Sequence, residues 1–390
     1  MNTFVRLLTC FAIFYSIFSP FRLIFDGGQT IVTFMATCTL LIRGNLFTNK
    51  TILIAILFCS ITLFLGMMDV EYFQNYIPNA VLILFSVATL EFFITTQDIR
   101  FAKYIIVTLM LTLTLLTAIS IPQFIIMPNL TRLINSQESD LGTFAYWTIS
   151  YHTIHMIPLL IIPIATWLKQ FNNKGPKLLI IVLIVMFLVM LIYADATTPL
   201  ILTFFALAIV FLYVPQKNML YNIIRILLVT SVCTLLLNKT IIISVLETVQ
   251  PVFKGSSNDM KITEMIDYIN MGSTSGDMEL RENYYIISLE SIAENPFMPE
   301  DDIKKIGKHM FLIDHIAAMG FPLFIIMCCM LLRLYNRASK LLTQNKGMYK
   351  IAFFLFLTMA CVKNVFLFSS VAIFVPMFLV LIEKKISILK

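Results

Sequence analysis

Charge is scarce in this chain. Only 13% of its 390 residues are Asp, Glu, Lys or Arg, whereas 59% are hydrophobic and 34 are Phe. A water-soluble domain cannot bury that much apolar surface in one core, so that class is excluded. The apolar residues are collected into runs of about 17–22, the length that crosses roughly 30 Å of hydrocarbon. Ten-residue alternation is absent, which excludes a transmembrane β-barrel and leaves helices, whose backbone groups are satisfied internally. No small-residue cleavage site follows the apolar stretch after Arg6, and Phe21, Arg22 and Phe25 are poor flanks for one. The N-terminus therefore reads as a first span and not as a signal peptide. Cysteine is missing from the long polar segment 238–308, since Cys10, Cys38, Cys59, Cys233, Cys328, Cys329 and Cys361 all fall in apolar runs. A disulfide framework or thiolate metal site in that segment is excluded. There is no internal repeat and no low-complexity tract.

What is present predicts an all-α polytopic membrane protein, a single integral membrane domain over 1–390 with about twelve transmembrane helices. The expected spans are 4–20, 29–43, 51–68, 77–96, 103–122, 150–168, 177–194, 199–213, 219–237, 310–332, 350–363 and 366–382. Pro199 is expected to open its helix just after a Thr197–Thr198 cap. Lys and Arg in the short loops orient the spans. With both termini in the cytoplasm, the cytoplasmic segments hold eighteen Lys and Arg residues, from Arg6 to Lys390. The short outer loops hold only Arg22, Arg132 and Lys363. Two outer segments exceed a simple turn, one at 123–149 and a larger one at 238–308, and loops of that length are usually functional. Within the larger, residues 278–293 carry Leu280, Tyr284, Tyr285, Ile287, Leu289 and Ile292 at helical spacing among charges. That pattern predicts a short amphipathic helix lying on the bundle, with turns at 256–259 and 272–277.

The residues that stand out chemically lie in and beside that segment. Arg281 heads the amphipathic stretch, Asn295 and Pro296 end it, and Lys304, Lys305, Lys308 and His309 lead into the next span. An Arg fork takes a phosphate bidentately and nearby lysines add point charges, so the place suits an anionic headgroup. A His at the water–lipid boundary exchanges a proton near neutral pH, as a general base for a hydroxyl must. The same residues also fit snorkelling cations that hold anionic lipid beside an interfacial histidine. Elsewhere, His152 and His155 share one helical face and read as lining a site or, more simply, as structural. Glu91, near the cytoplasmic end of its span, reads as snorkelling to water. Glu279, Glu282, Glu290 and Glu294 fall at helical spacing and read as a solvated face.

The stretch from Arg281 through Asn295 and Pro296 to His309 and Gly320 resembles the long periplasmic loop of the Wzy-type O-antigen and capsule polymerases, in the superfamily that also holds the O-antigen ligases. The shared pattern is an Arg, an apolar-periodic helix, Asn-Pro, a His, and a Gly eleven residues later at the start of the next span. Here Asp314 falls where capsule polymerases often carry Asp. The number of spans, cytoplasmic termini and late position of the loop are also similar. Met298, Pro299, Glu300, Asp301 and Asp302 stand where many relatives have a Gly-rich turn, and residues 195–199 lack an Arg that many have there.

The resemblance implies a glycosyltransferase that needs no metal or other cofactor. It would polymerise undecaprenyl-pyrophosphate-linked oligosaccharide repeat units at the outer face of a bacterial cytoplasmic membrane. Arg281 and His309 would be catalytic, holding the pyrophosphate and deprotonating the acceptor hydroxyl. Arg132, Lys305, Lys308, Tyr285, Asp314 and His152 would contact substrate. A chain-length regulator and a flippase are implied partners alongside the lipid bilayer; nucleic acid is not. Two other readings compete. A ligase passing glycan to a lipid A core would differ in its lipid-linked product profile. A flippase or other transporter would show repeats around a central loop and several ionisable residues at mid-membrane.

Overall fold

The computed structural model describes residues 3–18, 28–68, 70–127, 130, 147–170, 174–194, 196–213, 221, 239–254, 257–271, 277–300, 302, 305–307, 309–365 and 367–389. Among the described residues the regular structure is entirely helical. Before the long polar segment come α1 (Thr3–Ile17), α2 (Gly28–Arg43), α3 (Lys50–Met68), α4 (Val70–Thr96), α5 (Ile99–Ile126), α6 (Tyr151–Gln170), α7 (Lys174–Tyr193) and α8 (Thr197–Leu212). Within it lie α9 (Lys239–Val249), α10 (Ser257–Met271) and α11 (Asp277–Glu294). After it come α12 (Phe311–Lys340), α13 (Lys346–Val362) and α14 (Val375–Leu389), the last entered through a π-turn at Ser370–Phe374.

Among the described residues, α3, the Tyr76–Thr96 part of α4, α5, α6 and α12 are long and apolar enough to cross a membrane. Three shorter apolar helices, α1, Lys177–Tyr193 of α7, and α8, accompany them. The expected span 219–237 lies outside the described residues. The expected break near Lys363 and Asn364 is present, because α13 ends at Val362 and both residues are non-helical.

Apolar side chains point both inward and outward, as lipid-surrounded helices require. On α5, Phe101, Ile105, Leu109 and Leu113 are fully buried while Tyr104, Val107, Leu111 and Leu115 are exposed. α6 and α4 sit deepest, with 78% and 72% of their most apolar windows buried, against 33% for α3. α6 packs against α7, α8, α13 and α14, and α4 against α2 and α3. Hydroxyl groups inside these helices return to their own backbone, as Thr89 does to the Phe85 carbonyl and Thr166 to that of Ile162. No water is available there to satisfy them.

Polar contacts sort onto the two ends of the bundle. At the Lys/Arg-rich end, Asp98 caps α5 by accepting from the Arg100 and Phe101 amides and also receives Arg6 at 2.8 Å. Burial alone would push the Asp98 carboxyl up, but the Arg6 hydrogen bond and charge and the two amides outweigh it and hold it below its ordinary value. Glu91 is fully buried, where the sequence suggested snorkelling: Arg337 pairs with it and Asn49 donates to it at 2.8 Å. A neighbouring helix brings the counter-charge to it, so it has no need to reach water. Beside this pair, Arg333 donates to Thr51, Glu383 accepts from the Asn345 and Thr343 amides, and Lys169 donates to the Tyr213 carbonyl.

Two local expectations are revised. Thr197 is already the first helical residue of α8, two residues before Pro199, with Ala196 as its N-cap and no side-chain cap. Ser257 opens α10 where a turn was expected, with Asp259 in its first turn favourably placed against the helix dipole.

Candidate functional site

At the other end of the bundle, α11 lies against the start of α12. α11 covers the predicted amphipathic stretch, and Tyr285 and Ile292 of that pattern are half-buried on its packed face, but the centre of that face is made of small residues. Ser288 and Ser291, three residues apart, are buried, while Leu289, Ile286 and Tyr284 are exposed. Small side chains allow close approach. The Gly307 backbone runs against the Tyr284 carbonyl, where any Cβ would collide, and its amide donates to Ser288 Oγ at 2.8 Å.

Asp314 is the hub of this junction. Its buried carboxylate accepts from Ser288 Oγ (2.7 Å) on α11, from the Met310 amide (2.7 Å) at the α12 N-cap, and from Asn364 Nδ2 (2.8 Å) beyond α13. The two oxygens thus draw together three segments, and each donor is charge-assisted. The Phe311 amide adds a bond to the Lys363 carbonyl at 3.3 Å.

His309 falls inside the ring these bonds close. Gly307, two residues before it, is tied to Ser288, and Met310, one residue after it, is tied to Asp314, while Ser288 and Asp314 bond each other. His309 is half-buried, with its Nε2 shielded from solvent, and its ring lies near two aromatic rings of α11, stacked with Tyr284 at 6.1 Å and tilted to Tyr285 at 5.8 Å. Gly307 and Met310 are thereby held on either side of one titratable side chain, beside the exposed Tyr284 ring.

A second layer of contacts fixes the chain between α11 and α12. Glu300 is buried, accepting from Ser291 Oγ (2.8 Å) and the Asp302 amide (3.2 Å). Half-exposed Lys305 faces Glu294 (3.5 Å) and Glu300 (3.8 Å), so its charge is already met by two carboxylates. His315, one residue past Asp314, is buried with Nδ1 at the Phe311 carbonyl and its ring edge-on to Tyr76 at 6.3 Å.

Of the residues singled out by sequence, the structure gathers His309, Tyr285, Asp314 and Lys305 at the α11–α12 junction. Arg281 is in the second turn of the same helix, and its side chain lies outside the described residues. Arg132 and Lys308 also lie outside them. His152 is in the first turn of α6, one turn from His155, which is buried with Nδ1 at the Tyr151 carbonyl. Ser288, Gly307 and Asn364 were not singled out. The two serines at i and i+3 were the available signal, but Asn364 carries none, because its role depends on a partner fifty residues away. No protein-family model matches the sequence, and no curated protein matches it either.

Proposed function

We propose that this protein is a glycosyltransferase that joins undecaprenyl-pyrophosphate-linked oligosaccharide units on the outer side of a bacterial cytoplasmic membrane. The observation that carries the reading is the clamp around His309. It holds one histidine beside two tyrosine rings at the loop-bearing end of an apolar helical bundle. In this reaction His309 takes the proton from the terminal sugar hydroxyl of the acceptor. The freed oxygen attacks the anomeric carbon of the donor sugar, and the bond from that carbon to the pyrophosphate oxygen breaks. Undecaprenyl pyrophosphate leaves with the electron pair, and Arg281 stabilises the charge that develops on it. The exposed Tyr284 ring is a stacking surface for a sugar face, and Tyr285 backs the imidazole. Arg132 and Lys308 supply further phosphate contacts in this reading. His152 would contact the glycan.

The proposed topology has twelve spans, with 238–308 outside and both termini in the cytoplasm. Two sets of contacts support it. Residues assigned to the cytoplasmic side pair with one another, as Arg6 does with Asp98 and Thr343 with Glu383. Residues assigned outside do likewise, as Ser288 does with Asp314 and Asn364 with Asp314.

The test uses a host whose own polymerase is deleted, with surface polysaccharide resolved on a gel. Arg281→Ala and His309→Ala are each expected to leave single repeat units while the protein still inserts. Normal ladders from both variants overturn the assignment. Wild-type protein that moves glycan onto a lipid A core without lengthening the lipid-linked chain points instead to the ligase.

A further inference from the structure

α12 is broken at its tenth residue, and the chain from α11 enters the break. Gly320 has φ 68° and ψ 160°, a conformation open essentially to glycine alone. In an unbroken helix the Phe321 amide would bond the Ala317 carbonyl. Here it bonds the Pro296 carbonyl at 2.9 Å, and the Ala317 carbonyl accepts from the Glu300 amide at 3.1 Å. A Cβ at Gly320 would stand 2.8 Å from the Phe297 carbonyl group. The bend over residues 295–300 is therefore fastened into the backbone of α12.

The height of that attachment follows from the sequence of α12. Between His315 and Arg333, residues 316–332 carry no charge. They span about 25 Å at 1.5 Å per residue, close to the roughly 30 Å of a hydrocarbon layer. Gly320 is the fifth of them and lies about 6 Å inside that stretch. Its neighbours Phe297 and Met298 are nonetheless 71% and 65% exposed. On α12 itself, Phe321, Ile325 and Leu332 form an exposed apolar stripe starting beside the attachment point.

The backbone of the bend also suits an apolar medium. Pro296 and Pro299 remove two of its amide donors. The Asn295 and Glu300 amides are bonded to the Ser291 and Ala317 carbonyls, which leaves those of Phe297 and Met298 as the bend's remaining donors. Irregular backbone at membrane depth requires internal satisfaction, and four of the six positions of the bend meet it or have no donor to satisfy.

We infer that the bend at 295–300 is seated in the bilayer, with Phe297 and Met298 facing the acyl chains of the loop-side leaflet. The polar segment is thereby anchored to the lipid at its C-terminal end, directly before the His309 clamp. The inference rests on the apolar depth of α12 and stands whether or not the chain transfers sugars.

The test places the full-length protein in phosphatidylcholine vesicles and compares Phe297→Trp and Met298→Trp, each at an exposed side chain, with the parent carrying Trp147 and Trp167. The emission added by the new tryptophan is expected at short wavelength. Lipids brominated at shallow acyl carbons should remove most of it, and aqueous iodide should leave it in place. Quenching by iodide instead puts the bend in water and overturns the inference. Resistance to both quenchers, relieved when protein is diluted in lipid, puts a second copy of the chain over the patch and overturns it equally. Failure of the polysaccharide assay leaves these readings unchanged, so the two proposals fail separately.

Discussion

Asp314 receives donors from Ser288, the Met310 amide and Asn364 and is shielded from water. Asp314→Ala leaves Ser288, the Met310 amide and Asn364 without their shared acceptor. The expected cost is on the order of 3 kcal/mol, since bonds to a charged group contribute about 1.5–3 kcal/mol each and partial relaxation recovers some of it. A thermal midpoint measured in detergent or lipid checks that value. Ser288→Ala removes one of the three donors and should cost about 1 kcal/mol. Because the same bonds fix the residues on either side of His309, Asp314→Ala should also shorten the polysaccharide ladder. A variant with the full stability loss and a normal ladder would separate the clamp from the chemistry.

At the scale of elements, α11 and α12 behave as one unit held by serines, an aspartate and a broken helix. The break is specific to glycine. Gly320→Ala forces a Cβ into the Phe297 backbone and into a positive φ. The conformational term alone is about 1–3 kcal/mol, with the collision added to it. The expected outcome is release of residues 295–310 from α12, seen as faster proteolytic cleavage there while α13 and α14 stay protected. Equal protection in variant and parent would mean that the crossing bonds do not hold the segment. Sequence periodicity located α11 to within a residue or two and marked Tyr285 and Ile292 on its packed face, but not the serines at the centre of that face. Hydrophobicity favours Leu289, whereas the close approach of Gly307 to the Tyr284 carbonyl requires the small Ser288.

For the whole molecule, the division into two polar ends is the property most open to direct measurement. Glu290 is exposed on α11 and Lys350 is exposed on α13. In spheroplasts, Glu290→Cys is expected to react with a membrane-impermeant maleimide, and Lys350→Cys only after permeabilisation. Among the native cysteines Cys329 and Cys361 are exposed, so the labelling of the parent chain sets the background for both variants. Reversed labelling would overturn the proposed orientation, and with it the proposed placing of His309 on the outer side.

The sequence alone determined the class of protein, the placing of most helices and the candidate status of His309. Each of these depends on properties local to a stretch of chain: the length of an apolar run, a 3.6-residue period, or a charge beside a boundary. Only the tertiary structure decided that Asp314 is a hub, that Glu91 is paired with Arg337 instead of reaching water, and that residues 295–300 enter the break at Gly320. Apart from the local Met310 bond to Asp314, these depend on partners 17 to 246 residues away in the chain, as for Glu300 with Ala317 and Arg337 with Glu91. A polar residue in an apolar run shows that it must find a partner; packing alone decides which one.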